Sequence, residues 1–240
     1  MASDLLLMFG PPQSGKGTYG RRLSRMLGIP YVSAGESIRD RLKSDEGWFQ
    51  GRYSMEMHDR GEFCPPELVR ALVAELVESC PGPCILDGYP RNSIQFSDLM
   101  EMGVPFSLIH LNVPDEELVR RASGRRVCSQ CGEVFNFDNP NMQAGPSGEC
   151  TACGGEVVKR GDDDEATVRR RLSKYHIETA EVIDLCLGNA DAVVPFRSTD
   201  DDVDEECERM LGAMRDAGID LYLRTAETFS RTFLRSMSHL

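Results

Sequence analysis

Apolar residues along the 240-residue chain fall into two kinds of run. Four are short, at 5–9, 84–86, 107–111 and 192–194, with the length and character of buried strands. Between them, apolar positions recur at helical spacing over 16–27, 67–79, 93–102, 115–123, 166–187 and 203–217. Strand and helix alternate, which predicts an α/β fold: a parallel sheet with helices on both faces and ligands beyond the strand carboxyl ends. Two stretches break the alternation and read as insertions. Residues 36–64 are rich in Gly, Met and charge, and 127–159 hold Gly, Pro, Asn and paired cysteines. Beyond Gly218, the stretch 221–237 sets Arg224, Arg231 and Arg235 among apolar residues and is expected to form a helix packed on the core or a partner.

Composition narrows the class. A hydrophobic fraction of 40% and a charged fraction of 28% suit a soluble globular chain with one core plus insertions. A net charge of −12 and a pI near 4.9 argue against a nucleic-acid partner, whose phosphates need clustered Lys and Arg. The charge is uneven, however. Acid gathers at 162–165 and 200–206, whereas Arg120, Arg121, Arg125 and Arg126 form one basic cluster and Arg169, Arg170 and Arg171 another, which leaves room for a small polyanion. The first apolar run is only five residues long before a Gly-Pro-Pro turn, so a cytoplasmic protein without membrane attachment is expected.

The strand at 5–9 leads into GPPQSGKGT, comprising Gly10, Pro11, Pro12, Gln13, Ser14, Gly15, Lys16, Gly17 and Thr18, and then into a helix. A loop so placed turns backbone N–H groups and a helix N-terminus toward phosphate oxygens, with Lys16 reaching the β- and γ-phosphates. The strict phosphate-loop pattern has Ser or Thr directly after the Lys; here Gly17 intervenes before Thr18. Gln13 follows Pro12, so the backbone there must avoid positive φ or carry a conformational penalty.

Four of the nine cysteines, Cys128, Cys131, Cys150 and Cys153, form two CxxC pairs separated by eighteen residues. Each tight turn brings two thiolates to one metal, and four thiolates close a tetrahedral structural site for Zn2+, with Fe a chemically competent alternative. Two pairs at ribbon spacing argue against a redox dithiol. Taken alone, such a ribbon also marks nucleic-acid or protein-binding modules.

GKGT in place of GK[ST] is the form found in the adenylate kinase family, and the chain resembles that family over about 5–217. SAGESIR at 33–39 resembles the family's Thr-Gly-Asp-x-x-x-Arg, with Ala34 for Thr and Glu36 for Asp, while LDGYPRN at 86–92, followed by Gln95, resembles its Asp-Gly-Phe-Pro-Arg. GEFCPPELV at 61–69 resembles its hinge, and GRR at 124–126 with RGDDDEATVRRRL at 160–172 match its lid borders. Gln13 stands where the family usually has Gly.

The resemblance implies a P-loop NTPase-like core (1–33, 65–126 and 160–218), a helical monophosphate-binding insertion (34–64), a zinc-ribbon lid (127–159) and a C-terminal extension (219–240) without counterpart. It implies a monomer that moves a phosphoryl group reversibly from Mg-ATP to AMP, giving two ADP. Residues 10–18 with Arg121 and Arg125 would hold ATP. Ala34, Gly35, Arg39, Phe63, Cys64, Gly88, Arg91, Gln95, Arg160 and Arg171 would hold AMP, and Asp87 would hold Mg2+ through water. Lys16, Arg91, Arg125, Arg160 and Arg171 would stabilise the transferring group, with Asp162 and Asp163 anchoring the closed lid. Two other readings stay open: a kinase of another nucleoside monophosphate, and an ATP-binding regulatory protein with weak or no transfer.

Overall fold

The computed structural model describes residues 5–219 apart from 61, 63, 81, 162, 200 and 201, and apart from the side chains at 46, 178 and 180. The expectations for Phe63, Asp162 and the stretch 221–237 lie outside the described residues. In chain order the structure runs β1 (Leu5–Phe9), α1 (Lys16–Leu27), β2 (Tyr31–Ser33), α2 (Ala34–Ser44), α3 (Met55–Asp59), α4 (Pro66–Glu78), β3 (Cys84–Asp87), α5 (Ser93–Glu101), β4 (Phe106–Asn112) and α6 (Asp115–Gly124). Three short lid strands follow, β5 (Arg125–Cys128), β6 (Val134–Asn136) and β7 (Val157–Val158). The chain returns to the core with α7 (Glu165–Lys174), α8 (Ala180–Asn189), β8 (Val193–Arg197) and α9 (Val203–Asp216).

The main sheet has the order β2-β3-β1-β4-β8, with every pair parallel. Parallel strands covered on both faces read as unbroken apolar runs, and β1, LLLMF, is buried throughout. Its alternate residues feed different halves of the core. Leu5, Leu7 and Phe9 pack with Leu72, Val73 and Val182, whereas Leu6 and Met8 pack with Tyr19, Leu23, Met210 and Met214. The chain leaves β1 toward β2 and β3 on one side and reaches β4 and β8 on the other, so the strand order reverses at β1. Ligands of such sheets sit outside the strand carboxyl ends at that reversal.

Two features depart from the periodicity. The single helix expected at 166–187 is α7 and α8 joined by a π-helical turn, Tyr175–Thr179. No Gly or Pro marks the break, and the turn brings Thr179 Oγ1 to the Arg91 carbonyl at 3.3 Å. Strand β2, only three residues long, and the lid strands are too short for a periodic signal. The lid strands pair antiparallel in the order β6-β5-β7, apart from the main sheet. No described helix is long and apolar enough to cross a membrane.

Candidate active site

Strand β1 ends in a loop that runs straight into α1. Gly15, at φ 93°, caps α1 with no side-chain hydrogen bond, so the first-turn N–H groups present their partial positive charge to the cleft. Lys16 curls back and donates from Nζ to the carbonyls of Gly10 (2.7 Å) and Pro11 (2.8 Å), which holds the loop closed beneath it. Gln13 has φ 72°, so of the two possibilities for its backbone the penalty is the one realised, on the order of 1–2 kcal/mol.

The register of the sheet assembles the next group. Met8 of β1 and Ser33 of β2 both pair with Asp87 at the end of β3, so the phosphate loop, the start of α2 and LDGYPRN meet at one point. Asp87 accepts from the Tyr31 hydroxyl at 2.8 Å through Oδ2; its buried Oδ1 has no hydrogen-bond partner among the described residues. Arg91 is locked from three directions. Its Nε donates to the Gly88 carbonyl (2.8 Å), its backbone N–H donates to Gln95 Oε1 (2.8 Å), and its carbonyl accepts from Thr179. Gly88, at φ 82°, permits this approach, since a Cβ there would stand 2.9 Å from Arg91 Nη2. Asn92 caps α5 by accepting from the Gln95 N–H at 2.9 Å, which fixes the residue that Arg91 leans on. Ser33 caps α2 in the same way, and Glu36 forms an ion pair with Arg21.

Sequence reasoning missed a polar chain beside Arg39. The buried Tyr53 donates its hydroxyl proton to the Glu62 carbonyl (2.7 Å), so His58 Nδ1 donates to that hydroxyl (3.2 Å) and His58 Nε2 accepts from Arg39 (3.4 Å). It also missed the buried Glu206, which accepts from the Tyr19 hydroxyl (3.0 Å), the Thr199 N–H (3.2 Å) and the Thr199 hydroxyl (2.6 Å). Arg121 donates to Ser198 Oγ (3.0 Å) and the Thr199 carbonyl (2.9 Å) and pairs with Glu117, so Glu206 shapes the loop that holds Arg121. Neither Tyr53 nor Glu206 carries a motif; only a Tyr inside a charged insertion and a Glu on the apolar face of α9 hint at them.

One cleft gathers most of the expected site. Gly10, Pro12, Gln13, Gly15, Lys16, Gly17 and Thr18 of the loop line it. So do Ala34, Gly35, Arg39, Cys64, Asp87, Gly88, Arg91 and Gln95, together with Arg121, Arg125, Arg160 and Arg171. Pro11 and Ser14 lie in the loop outside the lining. Asp163 lies behind it, with a fully covered side chain that accepts from Arg125 Nε (2.8 Å) and Nη2 (2.6 Å). In this acidic chain the cleft concentrates positive charge. Burial lowers Lys16 to about 8; Asp87 opposes the shift, and Arg91, Arg171 and Arg125 add to it. Burial, then repulsion from Arg171, also lowers Arg91. A polyanion would relieve both.

The four lid cysteines converge, with all their sulfur atoms within 4.8 Å of one another. The Sγ atoms of Cys128 and Cys153 stand 3.5 Å apart, and those of Cys131 and Cys150 stand 3.6 Å apart. A tetrahedron with metal–sulfur bonds of about 2.3 Å has sulfurs roughly 3.8 Å apart, so the geometry fits one ion. The two turns are built alike. Gly132 donates to the Cys128 carbonyl (3.1 Å) and Gly154 to the Cys150 carbonyl (2.8 Å), at φ 72° and 75°. The N–H groups of Cys131 and Gln130 point at Cys128 Sγ, and the Cys131 N–H is the chief cause drawing that thiol down to about 6, toward the thiolate a metal requires.

Comparison with known proteins places this architecture. A family model described as adenylate kinase matches residues 8–189. The adenylate kinase of Carboxydothermus hydrogenoformans is 39% identical over 75% of this chain and 85% of its own. That of Symbiobacterium thermophilum is 38% identical over 74% and 84%, and that of Thermodesulfovibrio yellowstonii 37% over 75% and 85%. A phosphate loop at the reversal of a parallel sheet, a cationic cleft and a four-thiol lid, in a chain so matched, make this protein a phosphotransferase of the nucleoside monophosphate kinase type, a member of the adenylate kinase family.

Proposed function

We propose that the chain transfers the γ-phosphoryl group of Mg-ATP to AMP, reversibly, giving two ADP. The observation that supports this reading is the gathering of Lys16, Arg39, Arg91 and Arg125 in the lining of a single cleft. Phosphoryl transfer asks for alignment, charge neutralisation and exclusion of water, not for a side-chain nucleophile. Residues 10–18 hold the donor phosphates and Arg121 covers the donor base. Arg39 and Arg91 hold the acceptor phosphate, and Lys16, Arg125, Arg160 and Arg171 spread the charge of the group in flight. Asp163 aims Arg125, and Asp162 joins it at the lid border. Water-bound Mg2+ would neutralise and orient the donor phosphates, and the unpartnered, buried Asp87 Oδ1 suits a partner in its hydration shell.

In this reading residues 1–33, 65–126 and 160–218 are the core and 219–240 an extension. The insertion 34–64, with α2 and α3, closes on AMP together with Phe63 and Cys64, and the lid 127–159 closes on ATP. The lid metal is Zn2+, with iron the competing occupant of four thiolates. The reading takes the chain to act as a monomer.

The acceptor base is tested by rates with AMP, CMP, UMP and GMP at fixed Mg-ATP. Gln95, buried and fixed at the acceptor end, supports adenine, whereas Ala34 lacks the Thr hydroxyl of the family pattern. AMP is expected to exceed the others in kcat/KM by at least about tenfold, the worth of one well-placed hydrogen bond. Equal or faster transfer to a pyrimidine monophosphate would reassign the Ala34 pocket.

A further inference from the structure

We infer that Gln13 is a positioning residue, a tie between the phosphate loop and the lid border that holds Arg125 in place for transfer. The inference rests on the reading of Arg125 as a phosphate clamp. Gln13 occupies the left-handed region at φ 72°, where Gly is free and any other residue is strained. A strained non-glycine persists where its side chain returns something, and here the return is specific. Gln13 Nε2 donates at 2.9 Å to Asp163 Oδ1, 150 residues away in sequence.

Asp163 is the hub of this contact. Its covered carboxylate takes Gln13 Nε2 and Arg125 Nη2 on Oδ1 and Arg125 Nε on Oδ2, while its backbone N–H donates to the Arg160 carbonyl at 3.3 Å. One amide thereby links the floor under the donor phosphates to the carboxylate that aims Arg125 and to the backbone of Arg160. The chemistry of the position is restrictive. An amide offers Asp163 a neutral donor and leaves the Arg125 pair intact; a carboxylate at 13 would repel Asp163, and a glycine or thioether would offer no donor. Gln13 therefore exchanges backbone ease for a fixed clamp. The departure from the usual Gly becomes a working part of this chain's site rather than a defect in its loop.

The test compares Gln13→Gly, Gln13→Met and Gln13→Glu with the parent in steady-state phosphoryl transfer and in thermal melting. Gln13→Gly should melt no earlier than the parent, since it relieves the backbone, yet lose about tenfold in kcat, the effect of one hydrogen bond to a charged group. Gln13→Met should lose rate to the same extent, and Gln13→Glu should lose more. In an Asp163→Ala background, which has no acceptor for the amide, Gln13→Met should have under a twofold effect, because the two residues act through one contact. Parental kcat and KM in both Gln13→Gly and Gln13→Met, or full loss from Gln13→Met in the Asp163→Ala background, would overturn the tie. A parent that transfers to no monophosphate fails at the earlier step, and that result belongs to the proposed function.

Discussion

Replacing Arg91 by Ala should lower kcat by about 10²–10³-fold while the melting temperature stays within about 2 °C of the parent. The magnitude follows from where the guanidinium sits. Its Nε and backbone are already committed to Gly88, Gln95 and Thr179, so the fork is fixed before any ligand arrives. Such a preorganised cation costs no reorganisation as charge develops on the moving group. Arg91→Lys should remain at least tenfold impaired, since a point charge without the planar fork does not grip two oxygens at once. Arg169, exposed and paired with Glu165 one turn away, is the control, and its replacement by Ala should change the rate less than about twofold. Rate constants from single turnovers, with melts on the same samples, check all three. An Arg91→Ala enzyme of parental rate would remove this residue from the machinery.

Stripping metal from the lid should have the largest effect on stability. The lid has almost no core of its own: Cys128, Phe135 and Cys150 are buried together, with Ala144 and Val157 packed against them. So little apolar burial does not offset the entropy of ordering 127–159, and an ion joining the two cysteine turns would supply the remainder. Bound at about a thousand times its dissociation constant, an ion adds about 4 kcal/mol, or about 10 °C for a chain of this size. A chelator-treated sample should melt that much earlier, regain its midpoint on adding one equivalent of Zn2+, and transfer phosphoryl groups more slowly, because Arg125 and Asp163 flank the lid. Cys131→Ser should reproduce the loss. A metal-free protein with an unchanged midpoint would leave the four thiols without a structural role.

What was legible in the sequence divides along physical lines. The buried strands announced themselves because a parallel sheet covered on both faces leaves few polar positions; LLLMF is the clearest case. The phosphate loop, LDGYPRN and the paired cysteines were legible because their chemistry depends on fixed local spacing. Strand β2 and the lid strands escaped because two to four residues carry no period, and the π-helical turn at Tyr175–Thr179 escaped because α7 and α8 keep helical spacing on both sides of it. Contacts set by tertiary structure were out of reach. Nothing local links Tyr31 to Asp87, Glu206 to Tyr19, or His58 to Arg39, and each joins segments that meet only after folding. Gln13 is the instructive residue. The sequence marked it as a departure that must avoid positive φ or carry a penalty, and its side-chain partner, Asp163, lies 150 residues on.

The most direct measurement is ADP formation from Mg-ATP and AMP by the intact chain and by the same chain carrying Lys16→Ala. Lys16 holds the loop through Gly10 and Pro11, and burial among the other cations of the cleft lowers its pKa to about 8. The intact chain should form ADP at a rate of about 1–10³ per second, typical of enzymes, and the variant should fall by at least about 10²-fold. Tight binding of ATP with no ADP formed, from AMP or from any other monophosphate, would contradict the account.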